Sequence, residues 1–308
     1  MKRVLITGAN GLLGQKLAEL FGRELAYELL LTSKHPDSLF DHEQLDYAAL
    51  DITVKRAVTD LLLSFRPDWI INTAAYTEVD SCETNRELSW RVNVTGIEHL
   101  IDAAKKIGAK IVQLSSDHVF DGKNGPYDEN ARPNPLNYYG KTKLASENAL
   151  HVSEVPNVIV RSMVLYGTGR QVKRNFALWL MDRFREKRPV TIADDQVGNP
   201  TLVDDLAYGI VKVVERDKEG VYHISGSELI SRYDFALKLA RVFGEDVSLI
   251  RAVKTERLMQ AAQRPLKSGF ITLKAESELG LKTMNAEKGL QTLKSQLNHG
   301  ERKYAIHR

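Results

Sequence analysis

An α/β fold, a doubly wound parallel sheet joined to a smaller mixed C-terminal lobe, is predicted by three observations. Short apolar runs alternate with helical patterns through the first half of the chain. A glycine-rich turn joins the first run to the first helix. After about residue 166 the alternation gives way to an irregular, mainly helical pattern. Strands that alternate with helices form parallel sheets with right-handed crossovers, so the first half reads as a Rossmann-type domain.

The elements follow in order. Strands are expected at residues 4–7, 28–32, 69–72, 111–115 and 158–161, where apolar and β-branched residues dominate. Helices are expected between them at 15–22, 53–65, 86–107 and 139–150, where apolar positions recur at helical spacing. A later run at 221–225 reads as a strand returning to the sheet, and 175–186, 205–214 and 232–243 read as helices. The expected division is a dinucleotide-binding domain over 1–166, with 201–226 returning to it, and a lobe over 167–308 that binds substrate. There is no internal repeat and no low-complexity linker.

Composition narrows the function. A chain of 308 residues can bury a large core. A net charge of +3, from scattered basic residues, gives no reason to expect nucleic acid or a membrane as partner. The single cysteine, Cys82, precludes an internal disulfide and fits a reducing compartment. No apolar run is long enough to span a bilayer, and the N-terminus is strand-like rather than a signal peptide, so the cytoplasm is the expected location. The last eight residues, 301–308, read as a frayed tail.

The turn after the first strand carries Gly8, Asn10, Gly11, Leu12, Leu13 and Gly14. Glycines at this spacing let the backbone turn sharply and approach a pyrophosphate, which rests on free N–H groups at the helix start. Beyond the second strand stand Ser33 and Lys34, where a site built for NAD usually has an acid. A hydroxyl beside a cation suits a 2′-phosphate, so NADPH is the expected cofactor, with NADH still open; a solvated loop lysine is the plainer reading of Lys34. Asp51 and Ile52 are candidates for the adenine, with helix capping as the alternative for Asp51. The small residues Ala74 and Ala75, followed by Tyr76, would let the next strand end lie close to a flat cofactor.

The chemistry is expected between residues 115 and 143. Tyr139 and Lys143 are four apart on a predicted helix and share one face. The strand before them ends in Ser115-Ser116, so Ser116, Tyr139 and Lys143 can converge on one carbonyl group. A second Tyr-x-x-x-Lys, Tyr208 to Lys212, has no such serine upstream and reads as part of an ordinary amphipathic helix. In this scheme Tyr139 is the general acid, its pKa lowered by the Lys143 cation and by an oxidised nicotinamide. Ser116 fixes the carbonyl oxygen, and Lys143 also holds the nicotinamide ribose. Asn93 is read either as an anchor for the central helix or a relay water, or as an amide bonded to backbone.

These motifs resemble the extended short-chain dehydrogenase/reductases and, within them, the dTDP-4-dehydrorhamnose reductase family. The resemblance rests on Ala74-Ala75-Tyr76-Thr77 with Val79-Asp80, on Ser116-Asp117-His118-Val119-Phe120, and on the run from Pro135 to Lys143. It continues through Asp195-Gln196-Val197-Gly198-Asn199-Pro200-Thr201 and Arg264-Pro265. It implies NAD(P)H-dependent reduction of the C4 keto group of a nucleotide-linked 4-keto-6-deoxy sugar. It also implies that Val79, Ser116, Asp117, His118, Tyr139, Met163 and Arg264 meet that substrate. Three positions depart from the family pattern. His118 stands where a tyrosine is frequent, Met163 where an aromatic is frequent, and Lys16 where some members carry a glutamate for a metal-linked dimer. No metal is therefore expected, and a homodimer is left open. Two other classes share the resemblance. A sugar-nucleotide dehydratase or epimerase would have the same fold, but His118 breaks the dehydratases' acid pair after Asp117. A non-catalytic regulatory subunit, like that of methionine adenosyltransferase, is the other.

Overall fold

The computed structural model describes residues 1–40 and 45–305, with side chains through Asn298. The strands are β1 (Lys2–Thr7), β2 (Tyr27–Ser33), β3 (Asp46–Ala49), β4 (Trp69–Asn72), β5 (Lys110–Ser116), β6 (Asn157–Ser162), β7 (Leu165–Tyr166), β8 (Val190–Ala193), β9 (Val197–Gly198), β10 (Thr201–Leu202), β11 (Gly220–His223), β12 (Ile230–Ser231) and β13 (Ile250–Val253). The helices are α1 (Leu12–Phe21), α2 (Lys55–Phe65), α3 (Val79–Thr84), α4 (Arg86–Trp90), α5 (Gly96–Ile107), α6 (Tyr138–His151), α7 (Phe176–Arg185), α8 (Val203–Glu215), α9 (Arg232–Phe243), α10 (Leu273–Leu279) and α11 (Ala286–Ala305).

Seven strands form one parallel sheet in the order β11-β6-β5-β4-β1-β2-β3. Strand order reverses beside β1, between β2 and β4, which is where open α/β sheets bind ligands at their carboxyl edge. The strand alternation is visible in the core. Val4, Ile6, Leu29, Leu31, Trp69, Ile71, Val112, Val158 and Val160 face α1, α8 and α10. Leu5, Leu30, Ile70, Ile111 and Ile159 face α2 and α5. Both faces are buried, so the strands are nearly continuous apolar runs, as parallel sheets require. The run at 221–225 does return to this sheet, pairing Val221 with Ile159 and His223 with Arg161.

A separate core gathers α7, α9, α11 and β8 around Phe184, Phe235, Leu239 and Leu290. Three two-stranded sheets accompany it: β10 with β7, β12 with β9, and β13 with β8. The expected tail at 301–308 continues α11 as backbone to Ala305; residues 306–308 lie outside the described residues. Among those described, no helix is long and apolar enough to cross a membrane.

Candidate active site

The glycine turn sits at the carboxyl end of β1. Gly8 has φ +67, and a Cβ there would lie 2.8 Å from the Ala74 nitrogen, so only glycine lets the turn close on the loop after β4. Gly11 begins α1 with no side chain capping the first-turn N–H groups. Those donors are what a pyrophosphate needs, and the residues fit a dinucleotide. The adjoining corner is tightly bonded. The Asn10 amide donates to the Asp37 carbonyl at 2.9 Å, and Ser33 Oγ lies 2.8 Å from Tyr47 Oη. Ser33 is buried and also accepts from the His35 N–H, whereas Lys34 is exposed. The cation, rather than the hydroxyl, is therefore presented to solvent at this corner. Asp51 accepts from the Thr53 N–H at 2.9 Å, a local turn ahead of α2 rather than its N-cap, and Ile52 is buried against Gly96.

Gln15 was not singled out from sequence. It is buried behind the turn, and its amide donates to the Asn10 and Arg170 carbonyls, both at 2.8 Å, while accepting from the Arg170 N–H. It ties the loop before α7 to the glycine turn. Lys16 bridges toward Glu19 and Asp204, pinning α1 to α8.

The loop after β4 is held by Asn93. Its carbonyl accepts from the Tyr76 N–H at 2.8 Å, and its amide donates to the Tyr76 carbonyl at 3.1 Å and Thr142 Oγ1 at 3.0 Å. Asn93 lies in a wider helical turn, Arg91–Thr95, between α4 and α5. The helix expected over 86–107 is thus continuous but locally π-wound, a feature common at functional sites. Asn93 does bond to backbone, and through Thr142 it also fixes α6 against the Ala74–Tyr76 loop.

Ser116, at the end of β5, and Tyr139 and Lys143, on the first turns of α6, are all buried. Ser116 meets the Tyr139 phenol because α6 starts on top of the β5 end, and Lys143 lies one turn further along the same helix. A Cβ at Gly140 would run into the His118 carbonyl, so glycine after Tyr139 is what allows this approach. Burial, then the Asp117 charge, holds the Tyr139 phenol well above its ordinary pKa, and Ser116 offsets this only in part. Desolvation outweighs the neighbouring groups, and Lys143 is not among those that shift the phenol; of the two lowering influences expected from sequence, only the oxidised nicotinamide is left. The phenol is protonated at neutral pH. Lys143 moves the other way. Burial pushes its ammonium down to about 8, against a favourable Glu147. Behind it, Glu147 and Arg161 form a buried ion pair at 2.6 Å, joined by the Ser115 hydroxyl. Tyr208 is 48% exposed on α8, with the Lys212 ammonium over its ring.

A cleft opens beside this set, lined by Asp117, His118, Gln196, Arg232, Arg264 and Ser268, among others. Asp117 is buried and accepts from Ser116 Oγ at 2.9 Å and Ser268 Oγ at 2.6 Å. Arg264 is paired with Asp80 at 2.7 Å, next to Val79 at the start of α3. Arg232 was missed by sequence reasoning, since an arginine after a two-residue strand carries no signal. Burial lowers its pKa, Asp117 opposes this, and Arg264 adds to it. Met163 is 3% exposed and sits beneath the wall: its Sδ accepts from the Asn199 N–H at 3.0 Å, and it packs with Val119, Phe120 and Phe270. It supports the cleft rather than lining it. His118 does line it, and burial lowers its pKa.

The parallel sheet, glycine turn and Ser–Tyr–Lys set define an NAD(P)-dependent oxidoreductase of the extended short-chain dehydrogenase/reductase class. The family described as the RmlD substrate binding domain matches residues 1–298, and the chain belongs to it. Among relatives, a dTDP-4-dehydrorhamnose reductase of Aggregatibacter actinomycetemcomitans is 32% identical, covering 96% of this chain and 99% of its own. The methionine adenosyltransferase 2 subunit beta of Xenopus laevis is 32% identical over 86% of this chain and 78% of its own. Among solved structures, a dTDP-4-dehydrorhamnose reductase of Clostridium acetobutylicum is 33% identical with a TM-score of 0.87, covering 96% and 99% of the two chains. That of Bacillus anthracis, in complex with NADP, is 32% identical with a TM-score of 0.82, covering 96% and 100%.

Proposed function

We propose that the protein reduces the C4 keto group of a nucleotide-linked 4-keto-6-deoxy sugar, with NADPH as its cofactor and the cytoplasm as its setting. What supports the reading is the contact of Ser116 with the buried Tyr139 phenol, with Lys143 one turn along α6, next to a cleft lined by Asp117 and two arginines. Arg232 and Arg264 suit the diphosphate of a sugar nucleotide, because guanidinium groups pair with phosphate oxygens in two-point contacts.

A bound nicotinamide dinucleotide would supply the hydride. The backbone N–H groups of Leu12 and Leu13 would hold its pyrophosphate, Ala74 to Tyr76 its flat rings, and Lys34 its 2′-phosphate. Tyr139 gives its proton to the keto oxygen. Ser116 turns from Asp117 to donate to the same oxygen, which fixes it and stabilises the charge that develops there. Lys143 stays protonated below about pH 8 and would hold the nicotinamide ribose. The test is NADPH consumption with a panel of nucleotide-linked 4-keto-6-deoxy sugars. Turnover with one of them supports the reading, and none with any member contradicts it.

The similarity to a methionine adenosyltransferase subunit favours one second reading, a regulatory subunit. Capture of an adenosyltransferase, with no turnover on any keto sugar, would decide for it.

A further inference from the structure

We infer that Asn137 locks His118 into its Nε2–H tautomer, making His118 a fixed neutral hydrogen-bond donor that selects an acceptor oxygen on the sugar. The second half of the inference rests on the reductase reading; the first half does not.

The argument begins with the orientation of one amide. Asn137 is the N-cap of α6, and its Oδ1 accepts from the Gly140 N–H at 2.8 Å. A backbone N–H can only donate, so the Asn137 oxygen must face it. That places the NH2 group on the other side, where it meets two partners. One is the Gln263 carbonyl at 2.7 Å, which can only accept. The other is His118 Nδ1 at 2.8 Å. Turning the amide over would set its NH2 against the Gly140 N–H and its oxygen against the Gln263 carbonyl, losing both bonds. The orientation is therefore fixed twice, independently of the imidazole.

The consequence falls on His118. Nδ1 receives a hydrogen from Asn137, so it must carry a lone pair. The ring proton of the neutral imidazole is then on Nε2. Among the described residues no hydrogen bond is formed by Nε2, and the ring lines the cleft. A doubly protonated ring would press an N–H against the Asn137 NH2. The surroundings lean the same way. Arg232 from α9 and Arg264 from the C-terminal segment both disfavour the imidazolium, and burial disfavours it most. Asp117, on the same turn, favours it, and Tyr139 from α6 packs against the imidazole as an uncharged ring. Asp80 is already committed to Arg264.

A phenol at this position could donate or accept. A locked Nε2–H only donates. It therefore suits a substrate oxygen that offers lone pairs, a hydroxyl or keto oxygen, over one that must donate to the protein.

The test has a spectroscopic arm and a kinetic arm. Ring 15N shifts of His118, assigned by its absence in His118→Phe, are followed from pH 5.5 to 8.5. A neutral ring with the proton on Nε2 throughout that range is expected. An Nδ1–H ring, or an imidazolium at pH 7, would overturn the lock. Asn137→Asp keeps the oxygen that caps Gly140 but presents an acceptor to Nδ1. It should move the proton to Nδ1 and bring the imidazolium into the neutral range. Its KM for the sugar nucleotide should rise about tenfold, the scale of one lost hydrogen bond, and become pH-dependent, with kcat changed less. Asn137→Ser, a shorter cap without the NH2, should lose the tautomer preference without charging the ring. If Asn137→Asp folds, shows the proton moved, and leaves KM and its pH profile as in wild type, His118 does not select the sugar. If wild type shows the Nε2–H ring but turns over no keto sugar, the lock stands and the reductase reading fails.

Discussion

The His118 imidazole and the Tyr139 phenol pack in a T-shaped pair, with centroids 5.4 Å apart and planes at 77°. The residue that lines the cleft and the residue proposed to give the proton are thus packed on each other. An aromatic pair of this kind contributes about 0.5–1.5 kcal/mol. His118→Ala should therefore loosen Tyr139 as well as remove a substrate contact. KM for the sugar nucleotide should rise about tenfold and kcat fall by less, with dinucleotide affinity unchanged. Steady-state kinetics and equilibrium NADPH titration check this; a changed NADPH affinity with a normal KM would place His118 elsewhere.

Burial of Lys143 predicts an alkaline limb. Its ammonium titrates at about 8, so it is charged below that pH and neutral above it. In the proposed reduction the charged form is the one that holds the nicotinamide ribose, so kcat/KM for reduction should be level below about pH 8 and decline above it. Lys143→Arg, whose charge does not titrate in this range, should have lower activity but no such limb. A flat wild-type profile to pH 9.5 would contradict the role given to Lys143.

The Glu147–Arg161 pair is buried on both sides, with side-chain exposures of 1% and 4%. Removing one partner leaves an uncompensated charge in the core, which costs about 3–5 kcal/mol. Glu147→Ala should unfold at markedly lower urea than wild type, and Glu147→Leu with Arg161→Met should recover much of the loss. Equal losses in the single and double variants would mean that the pair is not the source.

Cofactor choice should depend on Lys34 and not on Ser33. The serine hydroxyl is engaged by Tyr47 and His35, while Lys34 is exposed at the same corner. Lys34→Ala should reduce the preference for NADPH over NADH by about 1 kcal/mol, the scale of a charge-assisted contact at the surface. Ser33→Ala should leave the preference almost intact. Binding titrations with both dinucleotides measure each.

Much of this was legible in the sequence, for physical reasons. The parallel strands are short apolar runs because both faces are buried, and such runs stand out. The glycine turn, Ser116, Tyr139 and Lys143 were readable because their spacing follows from strand and helix periodicity. β3 was not read, since its residues are half-exposed at the sheet edge. Arg232 and Gln15 act through contacts across the fold, and Gln15 meets Arg170 from 155 positions away. The burial that holds the Tyr139 phenol above its ordinary pKa does not show in a motif. Asn137 had a usable signal: an asparagine three residues before Gly140, at the start of a helical pattern, is an N-cap signature. Its second bond, to His118, had none.

The central claim is that Tyr139 delivers the proton during reduction. The most direct measurement is single-turnover NADPH oxidation with a nucleotide-linked 4-keto-6-deoxy sugar, by wild type, Tyr139→Phe and Tyr208→Phe, with NADPH affinity measured for each. Tyr139→Phe should bind NADPH normally and lose at least ~10²-fold in the chemical step, while Tyr208→Phe matches wild type. Full activity in Tyr139→Phe, or loss confined to Tyr208→Phe, would contradict the account.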